Sequence, residues 1–420
     1  MDHAVLNLGL TRHGLELITG NGTYTPDDRR RDDLNPALLV SGTSDAFAFK
    51  ALQPDPPQPG QPFLQDLPNS MYRRLDILGE EPIFGRPHSW RSEWLTNTPI
   101  HAIAWISGPL PGINAVADDV IDRFGVHQDV FVIPGLSLNG RRPRGSVDPF
   151  GFKDGVSQPA IEGFHDPWEI VGRGAWTGEG WRGLKPGEFV IGEEDEGNER
   201  RRPLPGDMLH NATFLVFRQI EMWPDRLDDL QDAESLKLGV APDEIGEWLV
   251  GRNRPRNGND GTSLMIEGSE EDLDFIYGFD PEGLKCPLGA HVRRSNPRDA
   301  LGKSGGRTNR HRIIRRGMPY IDRRGAVRGL AFIALQARIE DQFEFIQARW
   351  LNSGPTLHVG QDPDPIAGVV SPGVDRPRFV KQGAPARVIP LPRDRPLTEV
   401  RGGEYFMLPA LPALRAMAGL

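Results

Sequence analysis

Side chains able to ligate a metal or move a proton gather in three stretches of this 420-residue chain. KCPLGAHVRRSNPRD offers one imidazole, His291, just after Pro287 and Gly289. Those two residues break regular structure, so the His is expected on a bent, constrained segment, a support that suits a metal ligand. A lone His is nonetheless more often a hydrogen-bonded core or surface residue. RTNRHRIIRRGMPY, ending at Tyr320, adds a cluster of guanidinium groups, which on chemistry alone also reads as a nucleic-acid patch. GFKDGVSQP holds Asp154 between Gly151 and Gly155, two glycines that permit close backbone approach to a flat ligand. By itself an Asp in a glycine turn is usually structural, bonding its own backbone.

Together, and in this order along the chain, the three motifs resemble the dye-decolorizing peroxidases. The resemblance continues through RGLAFIALQARIEDQFEFIQARWLN at 328–352 and RGGEYFMLPALPAL at 401–414, and covers most of the chain beyond about position 75. It implies an α+β fold of two ferredoxin-like domains, β-sheets with peripheral helices, enclosing haem b. It implies a haem peroxidase that reduces hydrogen peroxide and oxidises dyes or other aromatic donors through a ferryl haem intermediate. Motif by motif, it implies His291 as the proximal iron ligand, Arg315 of RRG as the distal arginine and Asp154 of GxxDG as the distal acid/base.

The same resemblance places Leu330 and Phe332 at the border of the distal haem pocket. Haem carries two propionates, and Arg forks bind carboxylates with charge-assisted bonds, so one or more of Arg298, Arg310 and Arg312 is expected to clamp them. A proximal imidazole usually donates its second N–H to an acceptor, for which Asp364 in DPIAG is the candidate. GMPYI stands where the family usually has GxPYG, so the strand after Arg315 is expected to turn differently. The alternative is a haem-binding carrier or storage protein with little turnover; the intact GFKDG and RRG motifs favour the enzyme, because a carrier gains nothing from a distal acid/base pair.

Bulk properties agree with a folded two-domain protein, since the chain is longer than the size at which one core usually keeps growing. With 49 Lys+Arg against 58 Asp+Glu the net charge is −9, which argues against nucleic acid or an anionic membrane as partner of the whole chain. The chain has 39 Pro and 49 Gly, above the usual shares of about 5% and 7%, so many ordered loops between short elements are expected. The single cysteine, Cys286, excludes an intramolecular disulfide and a Cys-rich metal site. A thiolate ligand to iron remains the other reading of Cys286, against the resemblance, which places the ligand at His291. No run of 18 or more apolar residues occurs. The start has neither a basic n-region nor a twin-arginine signal, from which a cytoplasmic location is expected unless a truncated N-terminus hides an export signal.

In chain order, residues 4–10 read as a strand and 13–19 as a short helix, with the family's usual first strand lacking. Residues 20–98 read mainly as loop with a helical piece near 70–78. PIHAIAWI at 99–106 reads as a strand, and Ile113, Val116, Ala117, Val120, Ile121 and Phe124 follow at helical spacing. A strand near Asp129 to Ile133 would complete a ferredoxin-like unit. WTGEGWRGLKPGEFVIGEEDEGN reads as a hairpin excursion with Trp176 and Trp181 exposed. ATFLVFRQI at 212–220 and GLAFIAL at 329–335 read as strands, and Ile339, Phe343, Ile346 and Trp350 as the core stripe of a helix packed on the sheet. In RHRIIRR, strand alternation puts His311, Ile313 and Arg315 on one face. The expected organisation is an N-terminal ferredoxin-like domain (1–145), a connecting segment with GFKDG (146–204) and a C-terminal haem-binding domain (205–420).

Overall fold

The computed structural model describes residues 5–10, 71, 78, 89–91, 94, 100, 102–107, 112–124, 133, 147–200, 211–256, 261–267, 273–302, 305–321, 327–370 and 374–410. The expected helix at 13–19, and all but single residues of the helical piece near 70–78 and of the strand near 129–133, lie outside them.

The chain begins with β1 (Val5–Leu10), β2 (Ala102–Ser107) and α1 (Gly112–Phe124). After α2 (Pro167–Ile170) comes a hairpin of β3 (Ala175–Trp176) and β4 (Trp181–Arg182). β5 (Thr213–Met222) leads into α3 (Pro224–Leu238) and α4 (Pro242–Val250). Two short helices, α5 (His291–Ser295) and α6 (Gly306–Asn309), precede β6 (Ile314–Arg315), β7 (Met318–Ile321) and β8 (Val327–Gln336). A π-wound helix follows in two segments, Ile339–Glu344 and Ile346–Leu351. β9 (Arg378–Lys381), β10 (Arg387–Pro390) and β11 (Thr398–Leu408) close the described chain.

Seven strands form one sheet in the order β2-β1-β11-β5-β8-β6, with β7 also on β8, and every pairing is antiparallel. The centre of this sheet is covered on both faces, so β5 is buried along nearly its whole length rather than at alternate residues. Phe214, Val216, Phe332, Ala334, Tyr405 and Met407 pack with Phe343 of the π-helix. The opposite parity, Leu215, Phe217, Ala331, Ile333 and Phe406, packs toward Trp94, Ile103 and Trp105. A third cluster, in which Leu227 of α3 and Ile245 and Leu249 of α4 meet Phe150, Phe152, Val292 and Leu330, ties the GFKDG loop to α5 and β8.

Ile339, Phe343, Ile346 and Trp350 are buried as their spacing predicts. Two expectations are corrected. The strand in RHRIIRR is confined to Ile314–Arg315, because the preceding residues turn through α6, and His311 stacks on Phe345 with ring centroids 3.9 Å apart instead of sharing a strand face with Arg315. Trp176 and Trp181 are half-buried, not exposed, since their rings pack edge to face 5.2 Å apart across the hairpin.

Candidate active site

His291 opens α5, the five-residue helix that starts where Pro287 and Gly289 end a turn. So short a helix has little stability of its own, and the two arginines after His291 hold it from outside. Arg293 is buried; it donates to Asp280 Oδ2 at 3.1 Å and to the carbonyls of Cys286 and Asp280 at 2.7 and 2.8 Å, and lies over the Tyr277 ring. Arg294, also buried, donates to the carbonyls of Trp350, Leu351, Ser353 and Asp362. These are end carbonyls of the π-helix and the loop toward Asp364, so one guanidinium fixes the imidazole's helix against the segment that carries its partner. From the other side, α4 ends on Gly251 in the left-handed region, where a Cβ would lie 2.5 Å from Val292 Cγ2.

Asp364 Oδ1 and Oδ2 lie 3.1 and 3.2 Å from His291 Nδ1. The Asp364 side chain is fully buried, while that of His291 is 27% exposed. Burial alone would raise the Asp364 pKa, but His291, Arg294 and the Ala367 N–H together hold it below the usual carboxylate range. An ionised carboxylate only accepts, so the proton of the neutral imidazole sits on Nδ1 and the lone pair on Nε2. Ile366 and Ala367 donate to Asp364 Oδ1 at 2.9 and 2.7 Å and aim it.

Asp154 and Arg315 form the second pair, with Arg315 Nη1 3.7 Å from Asp154 Oδ1. Gly151 and Gly155 both have positive φ, at +83° and +76°, and bend the loop around Asp154. The Gly155 N–H donates to Asp154 Oδ1 at 2.6 Å. Oδ2 faces Gly317, where a Cβ would come within 3.2 Å of it and 3.4 Å of Leu330. The loop also holds Arg315: Nη2 donates to the Val156 carbonyl at 2.7 Å, and its backbone N–H donates to Gln158 Oε1 at 2.9 Å.

Leu330 thus borders the Asp154 carboxyl, whereas Phe332 belongs to the cluster under the π-helix. Arg298 is buried over Phe275 and donates to the carbonyls of Leu273 and Phe275. Arg312 donates to those of Gly174 and Arg173. Arg310 is exposed and passes over Gly197. Arg293, Arg294 and Gln158 received no role from sequence, because residue spacing does not tell a buried clamp from a solvated charge. GFKDGVSQP contained the signal for Gln158.

The donor set fits an iron porphyrin. Such a group brings its own equatorial nitrogens, so one imidazole with a free Nε2 lone pair suffices as protein ligand. Burial, with repulsion from Arg298, Arg315 and Arg173, pushes the Arg312 pKa down to about 9. Positive charge so concentrated suits a ligand carrying carboxylates. Ser157 Oγ, Asn296 Oδ1 and Thr308 Oγ1 are buried without a hydrogen-bond partner, which leaves polar capacity for a bound group.

Comparison with known proteins gives the same answer. The family Dyp-type peroxidase, C-terminal, matches residues 241–358. The dye-decolorizing peroxidase msp1 of Mycetinis scorodonius is 28% identical over 365 residues, 74% of this chain and 67% of the relative. The dye-decolorizing peroxidase of Mycena epipterygia is 28% identical over 314 residues, 64% of this chain and 57% of the relative. The chain therefore spans about two thirds or less of the length of these curated relatives. Among solved structures, a dye-decolorizing peroxidase in complex with 2,6-dimethoxyphenol superposes with a TM-score of 0.66 at 20% identity, covering 99% of this chain and 86% of that one. That likeness shows the ferredoxin-like α+β fold, and by the match over 241–358 and the relatives at 28% identity the chain is similar to the dye-decolorizing peroxidases.

Proposed function

We propose that the chain is a peroxidase that binds haem b on His291 and uses Asp154 and Arg315 to reduce hydrogen peroxide at the expense of dyes or other aromatic donors. The observation that carries this reading is the imidazole backed by a fully buried, ionised carboxylate, Asp364, whose pull on Nδ1–H leaves Nε2 as a strong donor. When bound, the haem supplies the redox centre at which peroxide gains two electrons that aromatic donors then replace one at a time.

The chain's own residues handle protons and charge. Asp154 is the group in this pair able both to accept and to return a proton near neutral pH. Oδ1 is engaged by Gly155 N–H and faces Arg315, so Oδ2 is the oxygen that takes a proton from hydrogen peroxide and returns it to the departing hydroxide as water. Arg315 stays protonated and stabilises the negative charge that develops on the departing oxygen. Arg298, Arg310 and Arg312 are the candidates for the propionates. Leu330 and Phe332 are proposed to border the distal side. The division into units at 1–145, 146–204 and 205–420 belongs to the same proposal. A solved relative carries 2,6-dimethoxyphenol, which supports a phenolic donor here.

The test is stopped-flow reaction of haem-loaded protein with peroxide from about pH 3 to 8. Asp154→Asn and Arg315→Leu are expected to keep the haem absorption band and to react more slowly, the arginine variant by about 10²- to 10³-fold. Wild-type rates in both variants throughout would overturn the assignment of these two residues.

A further inference from the structure

Tyr405 is buried between the central sheet and the π-helix, and its hydroxyl donates to Glu344 Oε1 at 2.8 Å. Glu344 is buried too, at the end of the first π-wound segment. A buried tyrosine hydroxyl usually finds a partner, but a carboxyl is a costly one for a dry layer, since burying a charge is far more expensive than burying a neutral acceptor. The same layer holds the positive charge that an ionised Glu344 requires: buried Arg218 donates to Gln347 Oε1 at 3.0 Å and lies 5.5 Å from the Phe343 ring. Among the described tyrosines, Tyr277, Tyr320 and Tyr405, it is Tyr405 whose hydroxyl meets a carboxyl group. Directly opposed residues of an antiparallel ladder share a face. Tyr405 opposes Val216, Val216 opposes Ala334, and Ala334 opposes Arg315. Tyr405 and Arg315 therefore stand on one face of the sheet, three strand spacings or about 14 Å apart. Aromatic rings line the way between them, with Phe343 centred 6.5 Å from Tyr405 and 6.1 Å from Phe332, two residues along β8 from Leu330 at the Asp154 carboxyl.

We propose that Tyr405 is an internal electron donor to the peroxide-oxidised haem and that Glu344 is the base that takes its proton. This inference rests on the peroxidase reading given above. A phenol gives up an electron readily only when its proton can leave with it, and the 2.8 Å bond supplies that route. In the step, the Tyr405 O–H bond breaks, one electron goes to the oxidised haem, and the proton passes to Glu344 Oε1. A neutral phenoxyl radical and a protonated carboxyl remain. An electron from an aromatic donor, with the proton returned by Glu344, restores both groups. Because Tyr405 is buried, the radical is shielded from solvent and holds one oxidising equivalent away from the haem until a donor arrives.

The experiment is rapid-freeze electron paramagnetic resonance of haem-loaded protein mixed with hydrogen peroxide and no donor, with the haem absorption band followed in parallel. Wild type is expected to give an organic radical whose signal narrows when ring-deuterated tyrosine is incorporated, and Tyr405→Phe to lose it. Glu344→Gln separates a proton acceptor from a structural bond, because an amide oxygen still accepts the hydroxyl but does not take its proton. That variant should slow the appearance of the radical by about 10²-fold, the usual weight of a positioned proton acceptor. Wild-type protein in D2O needs no variant and should form the radical more slowly than in water. A signal that ring deuteration leaves unchanged, or that persists in Tyr405→Phe, overturns the assignment of Tyr405. Wild-type rates in Glu344→Gln, or equal rates in water and D2O, overturn the coupled proton transfer. If the haem band responds to peroxide and no tyrosine radical forms, this inference fails alone; if the band does not respond, the peroxidase reading fails and this inference falls with it.

Discussion

A neutral imidazole becomes a stronger donor to iron when its other nitrogen gives a hydrogen bond to an anion. At His291 that anion is Asp364, and the Ile366 and Ala367 N–H groups turn it toward the ring. Asp364→Asn should keep both backbone bonds, since an amide oxygen accepts as a carboxylate does, but lose the charge. The expected result is haem binding weaker by about 10- to 100-fold and a more positive midpoint potential, read by spectroscopic and redox titration. His291→Ala should lose stable haem altogether. An Asp364→Asn protein with the wild-type potential would show that the pair does not tune the ligand. His291, Asp154 and Arg315 were legible because each sits in a motif whose glycines and prolines fix its backbone. Asp364 lies 73 positions from His291 along the chain, and nothing in DPIAG states which way its carboxyl points. Nothing in their spacing marks Arg293 and Arg294, and only folding reveals that backbone carbonyls, with the Asp280 carboxylate for Arg293, satisfy them.

The elements that meet at the site are short, so the contacts between them decide its geometry. β6 is two residues long, yet it must hold Arg315 opposite a loop more than 150 positions earlier. Gln158 makes that link: its Oε1 accepts from Arg315 N–H at 2.9 Å, and its Nε2 donates to the Gly155 carbonyl at 3.3 Å. Gln158→Ala removes both bonds and leaves a half-buried N–H without its partner, which costs about 1–3 kcal/mol. Lower denaturant midpoints and slower peroxide reaction are expected, with Gln158→Glu recovering the bond to Arg315 and much of the rate. Equal rates in wild type and Gln158→Ala would make the link purely structural. The apolar stripe of the helix after β8 was readable from its 4-3-4 spacing, and its burial follows. Its π winding was not, because Gln342, Glu344 and Gln347 are buried beside that stripe and bond to Glu188 O, Arg312 O, Tyr405 and Arg218. Polar residues read as the solvated face until such partners are known.

At the scale of the whole chain, strands from its beginning and its end share one antiparallel sheet, a closure that strand patterns alone do not specify since β1 meets β11 across nearly the full sequence. The segment before β5 is locked onto this sheet by Glu188, whose carbonyl accepts from Ala337 N–H and Gln342 Nε2, both at 2.9 Å. Its carboxyl is buried as well, and burial, with Asp195 and Glu196 nearby, pushes its pKa up from 4.5 to about 7 against the Glu196 N–H and Arg338. A carboxyl with a raised folded pKa binds its proton more tightly folded than unfolded, so stability falls as pH rises from about 4.5 to 7. Asp148 acts in the same direction between its ordinary 3.8 and about 6. Asp364 opposes both, because its lowered pKa gives stability that is present above the ordinary carboxylate range and lost as pH falls. Glu188→Gln isolates one of these effects: Glu196 N–H keeps an oxygen acceptor, and Arg338 keeps Asp195 and Asp341 as partners. The variant should melt at the wild-type temperature near pH 4.5 and a few degrees higher above pH 7, where the relieved cost is on the order of 2–3 kcal/mol. Melting curves across that range decide it, since a variant less stable than wild type at pH 8 would mean that the Glu188 charge is used by Arg338 rather than merely tolerated.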